Sequence, residues 1–313
     1  MRDILRRLVA GDLTEEQAVS ELRRLQLDEL GGRAKLDLGR FMRRGIPEVV
    51  LATGKTPADA ARLAIAMAER QGQGLISRMS DEHKAALQNA ADAAGMQVIS
   101  YAASARVVRQ GFVPEALDCR VGILTAGTSD LPAAEEAKMV VEACGIEVRI
   151  HADLGVAGLH RFVGPLASTL EWGAEVMIVA AGMDGVLPGL VAGLVDVPVI
   201  GLPVSTGYGR GGAGEAALTT MLQSCSTGLV VVNIDNGVGA GAAAVLIAQR
   251  RLRGRNDATT AATSAASSST PNKTGATARH ISTPPGTAKV RASTKTTKKT
   301  AASSHGKPRR RRP

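Results

Sequence analysis

Cysteine is scarce: three residues in 313, and Cys119, Cys144 and Cys225 show neither paired nor metal-ligand spacing. An odd, scattered set fits a reducing cytoplasm and argues against a disulfide framework. Long apolar runs are also missing. No stretch reaches the roughly 18 residues that a bilayer span requires, and in "MRDILRRLVAGDLTEEQ" charges break every apolar segment, so no signal-peptide core is expected there. Aromatic residues are only 2% of the chain, yet 44% of it is apolar, enough to fill the core of one large or two ordinary domains. Acidic residues all but vanish from one region. Residues 254–313 hold 13 Lys or Arg against one acidic side chain, so the formal charge of +9 conceals a net −3 over residues 1–253.

What is present divides into three parts. In residues 1–115, "LTEEQAVSELRRLQL" sets Thr14 three residues before Gln17, with Ala18, Leu22 and Leu25 at helical spacing, the signature of a capped amphipathic helix. "EVVLATG" (48–54) reads as a strand leading to a helix with Thr56 at the N-cap and Pro57 at its first position. Further strand-like runs fall around 74–79 and 97–102, which makes this part a small α/β domain. Over residues 116–253 the rhythm is regular. "RVGILTAG", "VRIHADLG", "EVMIVAAG", "VPVIGLPV" and "GLVVVNID" are β-branched strands, each followed by a glycine-bearing turn and mostly by a helix. That pattern predicts an α/β fold with a doubly wound parallel sheet, whose ligands lie beyond the carboxyl ends of the strands. Residues 254–313 are rich in Ala, Ser, Thr, Pro and Lys with no aromatic residue, and are expected to be disordered. Their "KPRRRRP" end suits nucleic acid or another polyanion, although a solvated tail is the plainer reading.

The turns after the strands carry the unusual residues. "GTSDLPAAEEA" (127–137) opens a helix whose first amides suit a phosphate, with Thr128 and Ser129 beside it; Asp130 could take a ribose hydroxyl or simply cap. In "HADLGVAGLHRF" (151–162), Asp153 ends a strand, Arg161 offers a fork of donors and His160 suits proton transfer. "AGMDGVLPGLVAGL" (181–194) places Gly182, Met183, Asp184 and Gly185 in one turn before a helix expected to start near Pro188. There the carboxylate is either a ligand contact or a turn former. In "STGYGRGGAGEAAL" (205–218), Gly209, Gly211 and Gly214 satisfy GxGxxG, and with Gly207 they form a loop able to admit a phosphate. The unit is not the first βαβ of its domain, which weighs against a nicotinamide oxidoreductase. Cys225 follows a helical pattern with no Lys, Arg or His adjoining it, so a small buried hydrophobe and a nucleophile are both open. Asn233, Asp235 and Asn236 form the last polar turn, read as facing the same strand-end crevice.

Taken together, "RRGIPEVVLATGKTP", "GTSDLP", "HADLGVAGLHR", "AGMDGVLPGLVAGLVDVPVIGLPVSTGYG" and "MLQSCSTGLVVVNIDNGVGAG" resemble the LarB family, the carboxylase/hydrolase of nickel-pincer cofactor synthesis. Its C-terminal domain is similar to PurE, the aminoimidazole ribonucleotide carboxylase. The resemblance covers about residues 30–250. It implies a flavodoxin-like or Rossmann-like three-layer catalytic domain. It also implies carboxylation of nicotinic acid adenine dinucleotide by carbon dioxide or bicarbonate, with hydrolysis of the phosphoanhydride. By position, Cys225 matches the cysteine that adds to the pyridinium ring, while Ser129, Asp130, His160 and Arg161 match the part that holds phosphate and ribose and assists proton movement. Asp184 stands where the family has Glu, about 1.5 Å further back. It or Asp153 is the candidate base for hydrolysis, with a magnesium ion nearby as a candidate aid. No tightly bound cofactor is implied, and a homo-oligomer, an octamer, is. The alternatives are an aminoimidazole ribonucleotide carboxylase or mutase, an oxidoreductase using NAD, and a binding protein acting through its tail.

Overall fold

A computed structural model describes residues 2–24, 28–30, 34–37 and 39–267. It opens with helices α1 (Arg2–Val9) and α2 (Glu15–Arg24), the strand pair β1 (Asp28–Leu30) and β2 (Ala34–Leu36), and the short helix α3 (Arg40–Arg44). The expected cap of α2 forms in both directions: Gln17 N–H donates to Thr14 Oγ1 at 3.2 Å, and Thr14 N–H to Gln17 Oε1 at 2.9 Å. Next come β3 (Val49–Leu51), α4 (Pro57–Gln71), β4 (Gln73–Ser77), α5 (Asp81–Ala93), β5 (Met96–Tyr101) and β6 (Ser104–Arg109). Thr56 caps α4 by accepting from Asp59 N–H at 3.1 Å, with Pro57 in the first turn. The four strands form one sheet in the order β3-β4-β6-β5, parallel only between β3 and β4.

The second sheet is wholly parallel. Its elements are β7 (Leu117–Thr125), α6 (Leu131–Ala143), β8 (Ile146–His151), α7 (Leu159–Glu171), β9 (Val176–Ala181), α8 (Val186–Ala192), β10 (Val199–Pro203), α9 (Glu215–Leu222), β11 (Leu229–Val231) and α10 (Gly237–Ser267). The strand order is β11-β10-β9-β7-β8. It is doubly wound as expected, with the first two strands reversed relative to the rest, so a crevice opens between the carboxyl ends of β7 and β9. Burial explains the runs of Val, Ile and Ala: every residue of β9 and β10 is buried, because both faces of the sheet are covered. Ala134, Ala137 and Val140 of α6 and Ala240, Ala244 and Val245 of α10 belong to one core cluster. Phe162 and Leu166 of α7, Leu187 of α8 and Met221 of α9 belong to another.

The small sheet is not a separate body. Leu75 of β4 and Tyr101 of β5 share the α6 and α10 core, and the Tyr101 hydroxyl donates to Glu142 of α6 at 2.6 Å. Helix α6 therefore lies between the two sheets and holds the small one over the large one. Two helix bounds differ from the sequence reading. Helix α8 starts at Val186, two residues before Pro188, and α10 runs on to Ser267, into the segment from residue 254 that was expected to be disordered. The Ala-rich sequence favours helix, and Arg255 ties that extension down to Asp118 and Glu175, each at 2.7 Å. From residue 268 onward the expected disordered tail lies outside the described residues.

Candidate active site

The turn after β7 is built around Asp130, which is 2% exposed. It does not cap α6 with its side chain. One carboxylate oxygen accepts from Gly127 N–H at 2.8 Å and the other from the Thr206 hydroxyl at 2.8 Å, so it fastens the turn after β7 to the turn after β10. Burial pushes its carboxyl above the ordinary 3.8; the bonds from Gly127, Thr206 and Gly182 oppose the rise, and the charge of Asp235 adds to it. The turn after β9 fits under this bridge only because residue 182 is glycine: a Cβ there would overlap Thr206 Oγ1 and lie 3.3 Å from Asp130 Oδ1. Thr128 and Ser129 remain exposed at the rim.

The turn after β11 completes this wall. Asp235 holds a left-handed φ of 55°, a strained position for a side-chain-bearing residue. Its N–H donates to Pro203 O at 2.9 Å, and its carboxylate accepts from Ser205 N–H at 2.9 Å. Its own carbonyl accepts from Arg78 Nη2 at 2.8 Å. Arg78, also left-handed at φ 56°, comes from the end of β4, so the small sheet reaches into the site. A cavity of about 400 Å³ lies here, lined by Arg78, Ser104, Ser129, Glu136, Thr206 and Asp235 among others. Glu136 is 4% exposed and accepts from Val238 N–H at 3.1 Å, with Arg78 Nε 4.0 Å away. Sequence reading missed Arg78, Ser104 and Glu136. The signal was available in "ISRMS", another turn after a strand, but in the other sheet.

Burial raises the Glu136 carboxyl above its ordinary 4.5, the bond from Val238 and the Arg78 cation opposing it. The folded state therefore keeps this proton to higher pH than the unfolded chain. Its contribution to stability is complete below about pH 4.5 and is lost as pH rises through the raised value. Comparing urea unfolding of the wild type with Glu136→Gln across pH should show the balance moving toward the Gln protein as pH rises above 4.5.

The remaining candidates are arranged less closely. Asp153, left-handed at φ 62°, pairs with Arg161 Nη1 at 2.6 Å; both are exposed, so the pair adds at most about 1 kcal/mol. His160 is exposed in the first turn of α7. Met183 and Asp184 are exposed, and Asp184 makes only a 3.4 Å contact with Val186 N–H. Gly185 starts α8, Gly207 backs on Met183, and Gly209 faces open space. Gly214, the last glycine of the GxGxxG run, lies against Ile234. Asn233 bonds to Ile234 N–H and Asn236 to Gly239 N–H, both at 2.9 Å, so these two shape their own turn. Among the described residues, no group of three or more His, Cys, Asp or Glu could hold a metal ion. Asp153 is engaged by Arg161, which leaves Asp184 as the freer carboxylate. The described carboxylates here do not by themselves make a magnesium site.

The three cysteines separate cleanly. Burial pushes the Cys119 thiol up to about 11 and that of Cys144 to about 12, and their Sγ atoms lie within hydrogen-bonding reach of the carbonyls of Ala248 and Gly45. Cys225 is exposed. It sits in the turn between α9 and β11, where Ser226 Oγ donates to Gly189 O of α8 at 2.7 Å. That turn precedes β11, whereas Asn233, Asp235 and Asn236 follow it. Within one chain the thiol and the last polar turn therefore lie at opposite ends of a strand.

Comparison with known proteins then fixes the lineage. The AIR carboxylase family profile matches residues 120–268, and the LarB/PurE-like N-terminal domain profile matches residues 27–112. The chain belongs to the LarB family. An uncharacterized protein of Methanocaldococcus jannaschii is 39% identical to this LarB-family chain over 256 residues, which is 80% of this chain and 97% of that protein. An N5-carboxyaminoimidazole ribonucleotide mutase of Thermotoga maritima is 32% identical over 41% of this chain and 74% of its own length. The mutase of Mycobacterium tuberculosis is 32% identical over 44% of this chain and 79% of its own. The domain pairing makes this LarB-family chain an enzyme of the carboxylase type. No helix among its described residues is long and apolar enough to cross a membrane.

Proposed function

We propose that the protein carboxylates the pyridinium ring of nicotinic acid adenine dinucleotide and hydrolyses its phosphoanhydride. The products are pyridinium-3,5-biscarboxylic acid mononucleotide and AMP. One observation supports this reading above the others: of the three cysteines, the one at the family's nucleophile position is the one that is exposed.

The chemistry needs such a thiol, because a pyridinium is electron-poor and does not attack carbon dioxide. The Cys225 thiolate adds to ring carbon 4, discharging the ring's positive charge and giving a neutral dihydropyridine. Carbon 5 is then an enamine carbon. Its electron pair forms the bond to carbon dioxide, and the positive charge returns to the ring nitrogen. A base takes the proton from carbon 5, which regenerates the dihydropyridine, and expulsion of the thiolate from carbon 4 restores the aromatic pyridinium. The sequence is redox-neutral: a carbon–carbon bond replaces a carbon–hydrogen bond, and one proton is released. In the second reaction a water molecule attacks phosphorus and AMP leaves.

The carboxyl-end turns serve binding. Thr128 and Ser129 offer hydroxyls at the rim, and Arg161 has donors beyond the one given to Asp153. Buried Asp130 acts as the fastener of these turns. Asp184, exposed and loosely held, is the candidate base for water. Because Cys225 precedes β11, a homo-oligomer in which one copy's thiol serves another copy's crevice accommodates both sets of residues.

Incubation with the dinucleotide and labelled bicarbonate should give labelled mononucleotide and AMP, and intact-mass analysis should find a ligand-sized adduct that maps to Cys225. Conversion of aminoimidazole ribonucleotide or its N5-carboxy derivative, with no product from the dinucleotide, would instead establish the second reading, a purine-type carboxylase or mutase. That second reading is favoured by the AIR carboxylase match over residues 120–268.

A further inference from the structure

A larger cavity, of about 980 Å³, lies at the opposite end of the parallel sheet from the crevice. Its walls are the last turns of α4 and α6, the start of β7, α3, and the middle of α10. Two of the chain's three phenylalanines line it, and Phe41 is 45% exposed. Four arginines line it against the single carboxylate of Glu115. Arg43 is held by Asp37 at 2.5 Å, and Arg70 donates to Ala66 O at 3.2 Å. Arg44 of α3 and Arg250 of α10 complete the set, and both are exposed.

The deciding feature is Gln73 in the cavity wall, 6% exposed. Its amide nitrogen donates to Ala143 O at 2.8 Å, which fixes the orientation of the group and leaves Oε1 as an acceptor with no partner. An unmet buried acceptor is destabilising, and a ligand N–H would meet it. Behind the wall, Arg106 holds Nε and Nη1 buried without partners, and its cation acts on Cys144, adding positive potential on that side.

We propose that this cavity is a nucleotide site, separate from the carboxyl-end crevice. The phosphate lies on Arg44 and Arg250, the base packs on Phe41 and Phe112, and an amino group of the base donates to Gln73 Oε1. The donor set matches the ligand part by part: forked cations for a phosphate, aromatic faces for a flat ring, and an acceptor for an exocyclic amine. An adenine nucleotide meets all three requirements.

The inference is independent of the carboxylase reading and is tested by calorimetry on the full chain. AMP should bind at least tenfold more tightly than adenosine, inorganic phosphate or N6,N6-dimethyl-AMP, which lacks the amino protons. Arg44→Glu combined with Arg250→Glu should weaken AMP at least tenfold, while Asp130→Ala in the crevice leaves this binding in place. Arg250→Glu alone should give a smaller loss and guards against misfolding of the double variant. Phosphate binding as tightly as AMP would overturn the proposal, leaving an anion site only. So would AMP binding that is lost in the crevice variant but not in the arginine variants, or the lack of any saturable binding.

Discussion

Cys225→Ala is expected to abolish carboxylation of the dinucleotide while changing folding stability by less than about 0.5 kcal/mol. The two halves of that result have separate causes. Stability is spared because the thiol is exposed in a turn, so its removal leaves no cavity and no orphaned partner. Activity is lost because no other group in the pathway can invert the polarity of the ring: without the covalent adduct, carbon 5 has no electron pair to offer. Cys225→Ser should be nearly as inactive, since a hydroxyl is a far poorer nucleophile than a thiolate near neutral pH. The control substitutions are Cys119→Ala and Cys144→Ala. Burial pushes their thiols up to about 11 and about 12, so they should cost stability and leave the adduct chemistry intact. Wild-type rates of labelled product from Cys225→Ala would end the mechanism, whatever the protein's melting temperature.

The fold was legible in the sequence only in part. Strands β7 to β11 were legible because each is a β-branched run closed by glycine, and a sheet covered on both faces selects for that. Strand β6 was not, because in "SARVVR" Arg106 interrupts the apolar alternation; the arginine lies on a strand whose Ala105, Val107 and Val108 are buried. The site divides in the same way. Turn residues were legible one turn at a time, since hydroxyls, glycines and carboxylates cluster after strands. Their joining was not: Asp130 meets Thr206 across 76 positions, and Arg78 meets Asp235 across 157, distances at which no local pattern operates. Sequence reading set Cys225 beside a crevice faced by Asn233, Asp235 and Asn236, yet β11 lies between the thiol and that turn.

That separation predicts a complementation. Strand β11, Leu229–Val231, runs on to Val232, whose N–H donates to Gly201 O at 3.1 Å. At about 3.3 Å per residue this interposes roughly 13 Å between the cysteine turn and the last polar turn. A closed homo-oligomer resolves the geometry, because symmetry presents the cysteine turn of one copy to every equivalent neighbour. Cys225→Ala removes the thiol and keeps the crevice. Gly182→Val keeps the thiol and blocks the crevice, because even a Cβ there collides with Thr206 Oγ1. Each variant alone should be inactive. Unfolded and refolded together in equal amounts, they should regain roughly one quarter of wild-type activity, since random pairing gives that fraction of sites an intact crevice from one copy and an intact thiol from its neighbour. If instead each chain's thiol serves its own crevice, no mixed site is whole and activity stays at zero at every mixing ratio. Size-exclusion analysis of the refolded mixture separates that outcome from failed assembly, because in the first case the mixed oligomer elutes with the wild type and remains inactive.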